Sequence, residues 1–184
     1  RAVARVQDAG FPVVPVPGAS AVITALSASG LADGHFHFHG FLPTKSAARR
    51  ASLESLRSVP GTLVFYEAPH RIAETLDDLA AVFEPVRELV VARELTKMFE
   101  QIVRMPITEG PAWLAADANR ARGEFVLLVS AAPVAEGLSP EAERVLGLLL
   151  AELPVKQAAK LAAGITGESK NALYERALAM RDEG

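Results

Sequence analysis

Apolar residues along the chain recur either with the period of a helix or at every second position, and the two patterns take turns. Residues 2–9 read as a helix that ends near Gly10. Val13-Val14-Pro15-Val16 reads as a short strand or extended run, turned by Pro17-Gly18, and Ala19 to Ser29 as a helix of small residues stopped at Gly30. His35 to Phe41 alternates polar and aromatic residues, as a strand with one half-buried face does. Ser46 to Ser58 is a basic amphipathic helix with Leu53 and Leu56 on its apolar side. Thr62 to Tyr66 is a strand, and Ile72 to Phe83 a helix striped by Ile72, Leu76, Leu79 and Phe83. Leu89 to Arg93 and Phe99 to Val103 are further strands, Pro111 to Ala118 a helix, and Glu124 to Ser130 a nearly continuous apolar strand. Strands alternating with helices predict an α/β layer structure around a central sheet.

From Ala131 the pattern changes. Residues 131–137 read as a linker, and Ser139-Pro140 opens a helix with serine as cap and proline in the first turn. Residues 141–151, 155–163 and 170–180 form three short helical patterns, with Gly164 in the turn between the last two. That layout predicts a helix-turn-helix appendage.

Composition narrows the function classes. At 184 residues the chain suits one domain plus an appendage at roughly 150 residues per domain. Zero cysteines exclude disulfides, zinc ribbons and thiol catalysis. No apolar run approaches the roughly 18 uncharged residues of a membrane span. The net charge of -3 argues against polyanion binding by the whole surface, though not by a local basic face. The chain starts at Arg1, inside a helical pattern and without the form of a signal peptide, so it is expected to be cut from a longer protein.

Several clusters carry chemistry. In Pro17-Gly18-Ala19-Ser20-Ala21 a strand meets a helix, so that amides and a hydroxyl face a polar ligand, or Ser20 simply caps the helix. Tyr66-Glu67-Ala68-Pro69-His70-Arg71 and Arg93-Glu94-Leu95-Thr96-Lys97 follow two successive strands, where open α/β sheets bind ligands; a surface ion-pair network is the alternative. His35, His37 and His39 share one strand face, a pattern better read as a solvated face opposite Phe36 and Phe38 than as a zinc site. Between His35 and Arg71 the cations Lys45, Arg49, Arg50, Arg57 and Arg71 face Glu54 and Glu67, a local balance of +3 and the best polyanion footprint in the α/β part. From Glu141 onward six basic residues meet seven acidic ones, with Lys170, Tyr174 and Arg181 along one side of the last helix; a purely structural cap competes with an RNA contact there. No glycine-rich GxGxxG or GxxxxGK loop occurs.

Taken in order, the segments 17–21, Gly40-Phe41-Leu42-Pro43-Thr44-Lys45, Phe65 to Arg71, Ala92 to Lys97, Gly123 to Leu127 and Lys170-Asn171-Ala172-Leu173-Tyr174 resemble the ribosomal RNA small-subunit methyltransferase I family of the tetrapyrrole methylase superfamily. The resemblance implies an α/β fold: a tetrapyrrole-methylase-like second domain, with a mixed sheet and flanking helices, over 34–132, and a small helical helix-turn-helix-like domain over 139–184. It implies that 1–33 is the remnant of an N-terminal cofactor domain and its linker. It implies methylation of a cytidine 2′-hydroxyl in 16S rRNA of the small ribosomal subunit, with S-adenosyl-L-methionine as cofactor, no metal, a homodimer, no membrane and a cytoplasmic location. Ser20, Ala21, Tyr66, Glu124 and Phe125 match cofactor-binding positions. The chemistry then needs a base of depressed pKa or a cation at the alkoxide. Lys97 suits either role with Glu94 orienting it, and His70 is the rival base. Lys45, Arg49, Arg50, Arg71, Lys170 and Tyr174 are the expected RNA contacts. The competing readings are a corrin or porphyrin methylase and a non-catalytic RNA-binding module. A flat apolar macrocycle would want an open hydrophobic cleft, whereas the basic 45–57 segment and the C-terminal helices favour RNA.

Overall fold

The computed structural model describes residues 1–31, 33–133 and 137–182. They form two compact units, Arg1–Pro133 and Val134–Gly184. Residues 134–136 of the expected linker lie outside the described ones. The first unit includes the segment expected to be a separate remnant, because its helix α2 (Ala21–Ser29) packs on the sheet through Val22 and Ala25. Helix α1 (Ala2–Asp8) buries none of its residues.

Five strands, β1 (Phe36–Phe41), β2 (Thr62–Glu67), β3 (Glu88–Arg93), β4 (Gln101–Pro106) and β5 (Phe125–Val129), form one mixed sheet in the order β1-β2-β5-β3-β4. Only β1 and β2 are parallel; β5 runs antiparallel to both of its neighbours. That central place explains its unbroken apolar sequence, since all five residues are buried on two faces. One face is covered by α3 (Ser46–Leu56), α4 (Ile72–Val82) and α5 (Gly110–Ala115), which bring Leu53, Leu56, Ile72, Leu76, Leu79 and Leu114 against Leu63, Phe65, Leu89, Val91, Leu127 and Val129. The other face meets α2 through Val64, Val90, Ala92, Val126 and Leu128.

Two expectations about the strands change. Residues 13–16 make no ladder: prolines at 12, 15 and 17 remove backbone donors, and Val14 and Val16 stay exposed. Strand β4 starts at Gln101 rather than Phe99, because pairing of Arg93 with Gln101 leaves residues 94–100 as the hairpin loop. At β1 His35 and His37 are exposed, as a solvated face requires, and only His39 is partly covered. His39 packs against Phe65 and Ser52, and this burial, then the charge of His37, lowers its pKa, while Phe36 and Phe38 remain about half exposed. No group of metal-ligating side chains occurs among the described residues.

The expected basic footprint is divided: Arg49 is buried, Arg50 and Arg57 are paired but about half exposed, and Lys45 is exposed. Arg49 is 1% exposed and donates to Asp78 Oδ2 at 2.6 Å, to the Thr44 carbonyl and to Glu74. Arg50 donates to the other oxygen of Asp78. Burial pushes the Asp78 carboxyl up, but hydrogen bonds from Arg50 and Arg49 hold it below its ordinary value. Arg57 pairs with Glu84 and Glu54, and buried Arg87 donates to Glu84 and to the carbonyls of Arg57 and Ser130.

The second unit is a three-helix cluster of α6 (Pro140–Leu150), α7 (Val155–Thr166) and α8 (Lys170–Asp182) around Leu146, Ala158, Ala159, Ala162, Leu173 and Ala177. Ser139 caps α6, its hydroxyl accepting from the Ala142 amide at 3.2 Å. The turn falls at Gly167, which takes the left-handed φ of 75°, and not at Gly164, which lies inside α7. No helix among the described residues is long and apolar enough to cross a membrane.

The ion pairs of the first unit can be tested by removing one partner at a time. Asp78→Ala leaves buried Arg49 with the exposed Glu74 as its remaining carboxylate partner, and is expected to destabilise the first unit by about 3 kcal/mol, read from urea unfolding. Glu84 is pushed up by partial burial, yet the bonds from Arg57 and Arg87 lower it to about 2. A depressed carboxylate stabilises above its unfolded value and ceases to do so as pH falls through the folded one. Stability should therefore fall between about pH 4.5 and 2 by about 1–2 kcal/mol after solvent screening. Glu84→Gln should remove that part of the slope in an acid titration followed by circular dichroism.

Candidate active site at one edge of the sheet

Because β5 is antiparallel to β2 and β3, its first residues lie level with the last residues of both neighbours. Phe125 pairs with Glu67 on one side and Arg93 on the other. At this edge a cleft of about 530 Å³ is lined by Ala21, Phe41, Tyr66, Glu67, Ala68, Pro69, Leu95, Glu124, Phe125 and Val126. Its wall is mainly apolar. The Tyr66 ring is set by Phe38, 4.9 Å away and edge-on, and by Phe41 at 5.7 Å. Ala21 is the first residue of α2, whose leading amides receive no side-chain cap from Ser20.

Glu67 anchors the floor. Its side chain is fully buried; one oxygen accepts the Ala68 amide at 2.8 Å and the other the Thr75 hydroxyl at 2.7 Å. Arg71 stands 3.4 Å from Glu67 and donates to the carbonyls of Leu42 and Pro43. It thereby joins the loop after β1 to the loop after β2, and is not a free phosphate ligand.

The rim is built by the β3–β4 hairpin loop, residues 94–100. Lys97 Nζ donates to Glu94 Oε1 and Glu124 Oε2, both at 2.9 Å. Glu94 Oε1 also accepts the Glu124 amide at 3.0 Å, and the Glu94 amide donates back to the Glu124 carbonyl. Glu94 and Thr96 adopt φ of 51° and 63°, left-handed values that side-chain-bearing residues take only when their surroundings impose them. The bond from Lys97 holds the Glu94 carboxyl low; the same bond, followed by that to Glu124, raises the Lys97 ammonium above its ordinary 10.5. Of the two roles expected for Lys97, this arrangement suits the cation and disfavours the base.

Of the residues singled out by sequence, Ala21, Tyr66, Glu124 and Phe125 line the cleft, and Glu94 and Lys97 bridge its rim to Glu124. Ser20 sits one residue outside the lining, and His70 is exposed one residue beyond Pro69. Arg49 and Arg71 are engaged inside the fold by Asp78, Glu67 and loop carbonyls, while Arg50 bonds Asp78 through Nε and keeps about half of its side chain exposed. Lys45 is exposed at the start of α3; Lys170 and Tyr174 are exposed on α8 in the other unit. The sequence pattern does not mark Phe41, Ala68, Pro69, Leu95 or Val126 as lining residues. Their signal is position alone, since each lies within two residues of a strand end at this edge.

The mixed five-stranded sheet with its edge cleft is a methylase architecture: the chain belongs to the tetrapyrrole (corrin/porphyrin) methylases, whose family model matches residues 1–110. Residues 136–181 match the RsmI C-terminal HTH domain. The chain is 52% identical over 179 residues to "Ribosomal RNA small subunit methyltransferase I" of Pseudomonas aeruginosa, covering 96% of this chain and 64% of the relative. It is 50% identical over 173 residues to the protein of the same name from Escherichia coli O157:H7, covering 94% and 60%. With 62% coverage of the relative in Neisseria meningitidis serogroup A, the chain spans 60–64% of the length of these relatives. The fold is shared with the methyltransferase CobJ (TM-score 0.50, 22% identity, 71% of this chain and 55% of that one). It is also shared with a cobalt precorrin-4 methyltransferase (TM-score 0.50, 14% identity, 70% and 56%).

Gly123 tests the rim. It takes a φ of 94°, and a Cβ there would collide with the Glu94 side chain. Gly123→Ala should cost more than about 1 kcal/mol in urea unfolding. It should also free Lys97, read as a fall of the lysine Nζ titration toward its ordinary value by NMR.

Proposed function

We propose that this chain belongs to an S-adenosylmethionine-dependent methyltransferase acting on a cytidine 2′-hydroxyl of 16S rRNA in the small ribosomal subunit. The observation that carries this reading is the Glu94–Lys97–Glu124 bridge at the rim of an apolar cleft, in a chain about half identical to relatives named for ribosomal RNA methylation. The corrin-methylase reading has the fold in its favour. The match of 136–181 to the RsmI domain favours RNA.

The cleft fits the cofactor chemically: Tyr66, Phe41, Leu95 and Val126 offer an apolar wall to an adenosyl group, and the open amides of α2 and the carboxylate of Glu124 offer polar contacts. S-adenosylmethionine, when bound, supplies a methyl already activated by its sulfonium. The protein's own part is alignment, exclusion of water and management of one proton. Lys97, held as a cation, stabilises negative charge developing on the ribose oxygen. Glu94 orients that ammonium, and His70 accepts the hydroxyl proton. Exposed Lys45, Lys170 and Tyr174 supply RNA contacts. A homodimer and a cytoplasmic location complete the reading; the exposed Phe36, Phe38 and Phe41 along β1 support a second copy there.

The test uses the full gene product, with S-adenosylmethionine affinity by calorimetry and transfer of labelled methyl to small subunits. Tyr66→Ala should weaken cofactor binding about tenfold or more, the scale of a stacking ring removed. Lys97→Ala should lower turnover about 10²-fold while barely changing cofactor affinity. Lys97→Arg should recover part of the rate, since a guanidinium remains a cation. A raised ammonium keeps its proton until pH passes its folded value, so the rate should hold through mildly alkaline pH and fall only beyond about 10.5. A rate that climbs through the alkaline range in wild type, and is abolished in Lys97→Arg, would make the lysine the base instead.

A further inference from the structure

A second hollow, of about 370 Å³, lies at the same sheet edge and is lined by Arg93, Glu94, Phe99, Asn119, Arg122 and Gly123. Glu94 and Gly123 line this hollow, while their immediate neighbours Leu95 and Glu124 line the cleft, so the two spaces are separated by single residues on two segments. Their electrostatics differ. The charged residues lining the cleft are the carboxylates Glu67 and Glu124. Those of the second hollow are two guanidiniums and Glu94, which Lys97 already neutralises.

The side chains in this hollow have unspent capacity. Arg93 donates through Nη1 to the carbonyls of Asn119 and Arg122, and its Nε is buried with no acceptor. That donor keeps capacity for one further acceptor. The Arg122 guanidinium is exposed and has no partner among the described residues. Phe99 is 69% exposed, and the hairpin loop that carries it also carries Lys97. A bare ring, a carboxamide and two guanidiniums in one concave site are what stacks on, reads and neutralises an unpaired nucleotide.

We infer that this hollow is a subsite for a single-stranded nucleotide flanking the methylated residue. Phe99 stacks on its base, Asn119 meets the base edge, and Arg93 and Arg122 hold its phosphate. The inference rests on the RNA reading proposed above and adds to it the element that places an acceptor beside the cofactor cleft, where the cleft lining has no cation for a phosphate.

The experiment measures binding of a fluorescein-labelled single-stranded RNA of about ten nucleotides, within the usual site sizes, to the full chain by anisotropy across a salt series. Phe99→Ala should weaken binding about tenfold without changing the salt slope, and Phe99→Trp should retain affinity. Arg122→Ala should weaken binding and reduce the slope by about 1, because one phosphate is no longer neutralised. Both residues are exposed, so unchanged thermal midpoints should confirm that the variants are folded. A duplex of the same sequence, whose bases cannot stack on the ring, should be indifferent to Phe99→Ala. Wild-type affinity in both alanine variants, with binding abolished in Lys170→Ala or Tyr174→Ala, would overturn the subsite and leave the RNA reading standing. Absence of RNA binding by the wild-type chain at every salt concentration would overturn both.

Discussion

The antiparallel insertion of β5 between β2 and β3 is the constraint on which the rest of the first unit depends. A parallel strand in that place would carry its N-terminal residues to the far edge of the sheet. Antiparallel, it delivers Glu124 and Phe125 to the edge where β2 ends in Tyr66 and Glu67 and β3 ends in Arg93. The cleft, its carboxylate and the bridge to Lys97 all follow from that single choice of direction. Burial of all five β5 residues fixes the register, because a slip by one would send Leu127 and Val129 to the wrong face.

How much of this could be read from sequence depends on the kind of signal. Periodicity located every strand of the sheet and the helices that cover it, with ends displaced by a few residues where turn geometry decides. The polar clusters after β2 and β3 were legible because chemically unusual residues follow those strand ends, whereas the candidate cofactor positions came from the family resemblance. Cleft-lining Phe41, Leu95 and Val126 were not, since an apolar residue looks the same in sequence whether it faces a core or a ligand. Within the basic segment, the withdrawal of Arg49 was not legible, for a physical reason. Arg49 falls on the α4 side of its helix, where Asp78 lies 29 residues away in the chain, and sequence proximity gives no view of that partner. Charge counted along a segment measures composition, whereas a ligand meets only what internal pairing leaves over.

The same distinction organises the second unit. Its formal balance is slightly acidic, yet Arg144 is engaged by Glu141, and Arg176 by Glu143, on the α6 side. Lys156, Lys160 and Lys170 stand exposed on α7 and α8. A helical unit near neutrality can still present cations where internal pairing takes up its other charges, as α7 does with Lys156 and Lys160 and no acid of its own.

The arginines also answer a question that the absence of cysteine raises. Arg49, Arg71, Arg87 and Arg93 each tie segments 26–43 residues apart, through a planar fork that bonds carboxylates or loop carbonyls. They cross-link the fold as disulfides do in other small proteins, but no reductant or oxidant acts on them. Their vulnerability is to ions. Urea, being neutral, dissolves the core while leaving such pairs their attraction, whereas guanidinium chloride screens them and competes for the same acceptors. The two denaturants therefore read different sums over one structure, and the difference between them reports the net contribution of its charge interactions, these arginine pairs among them.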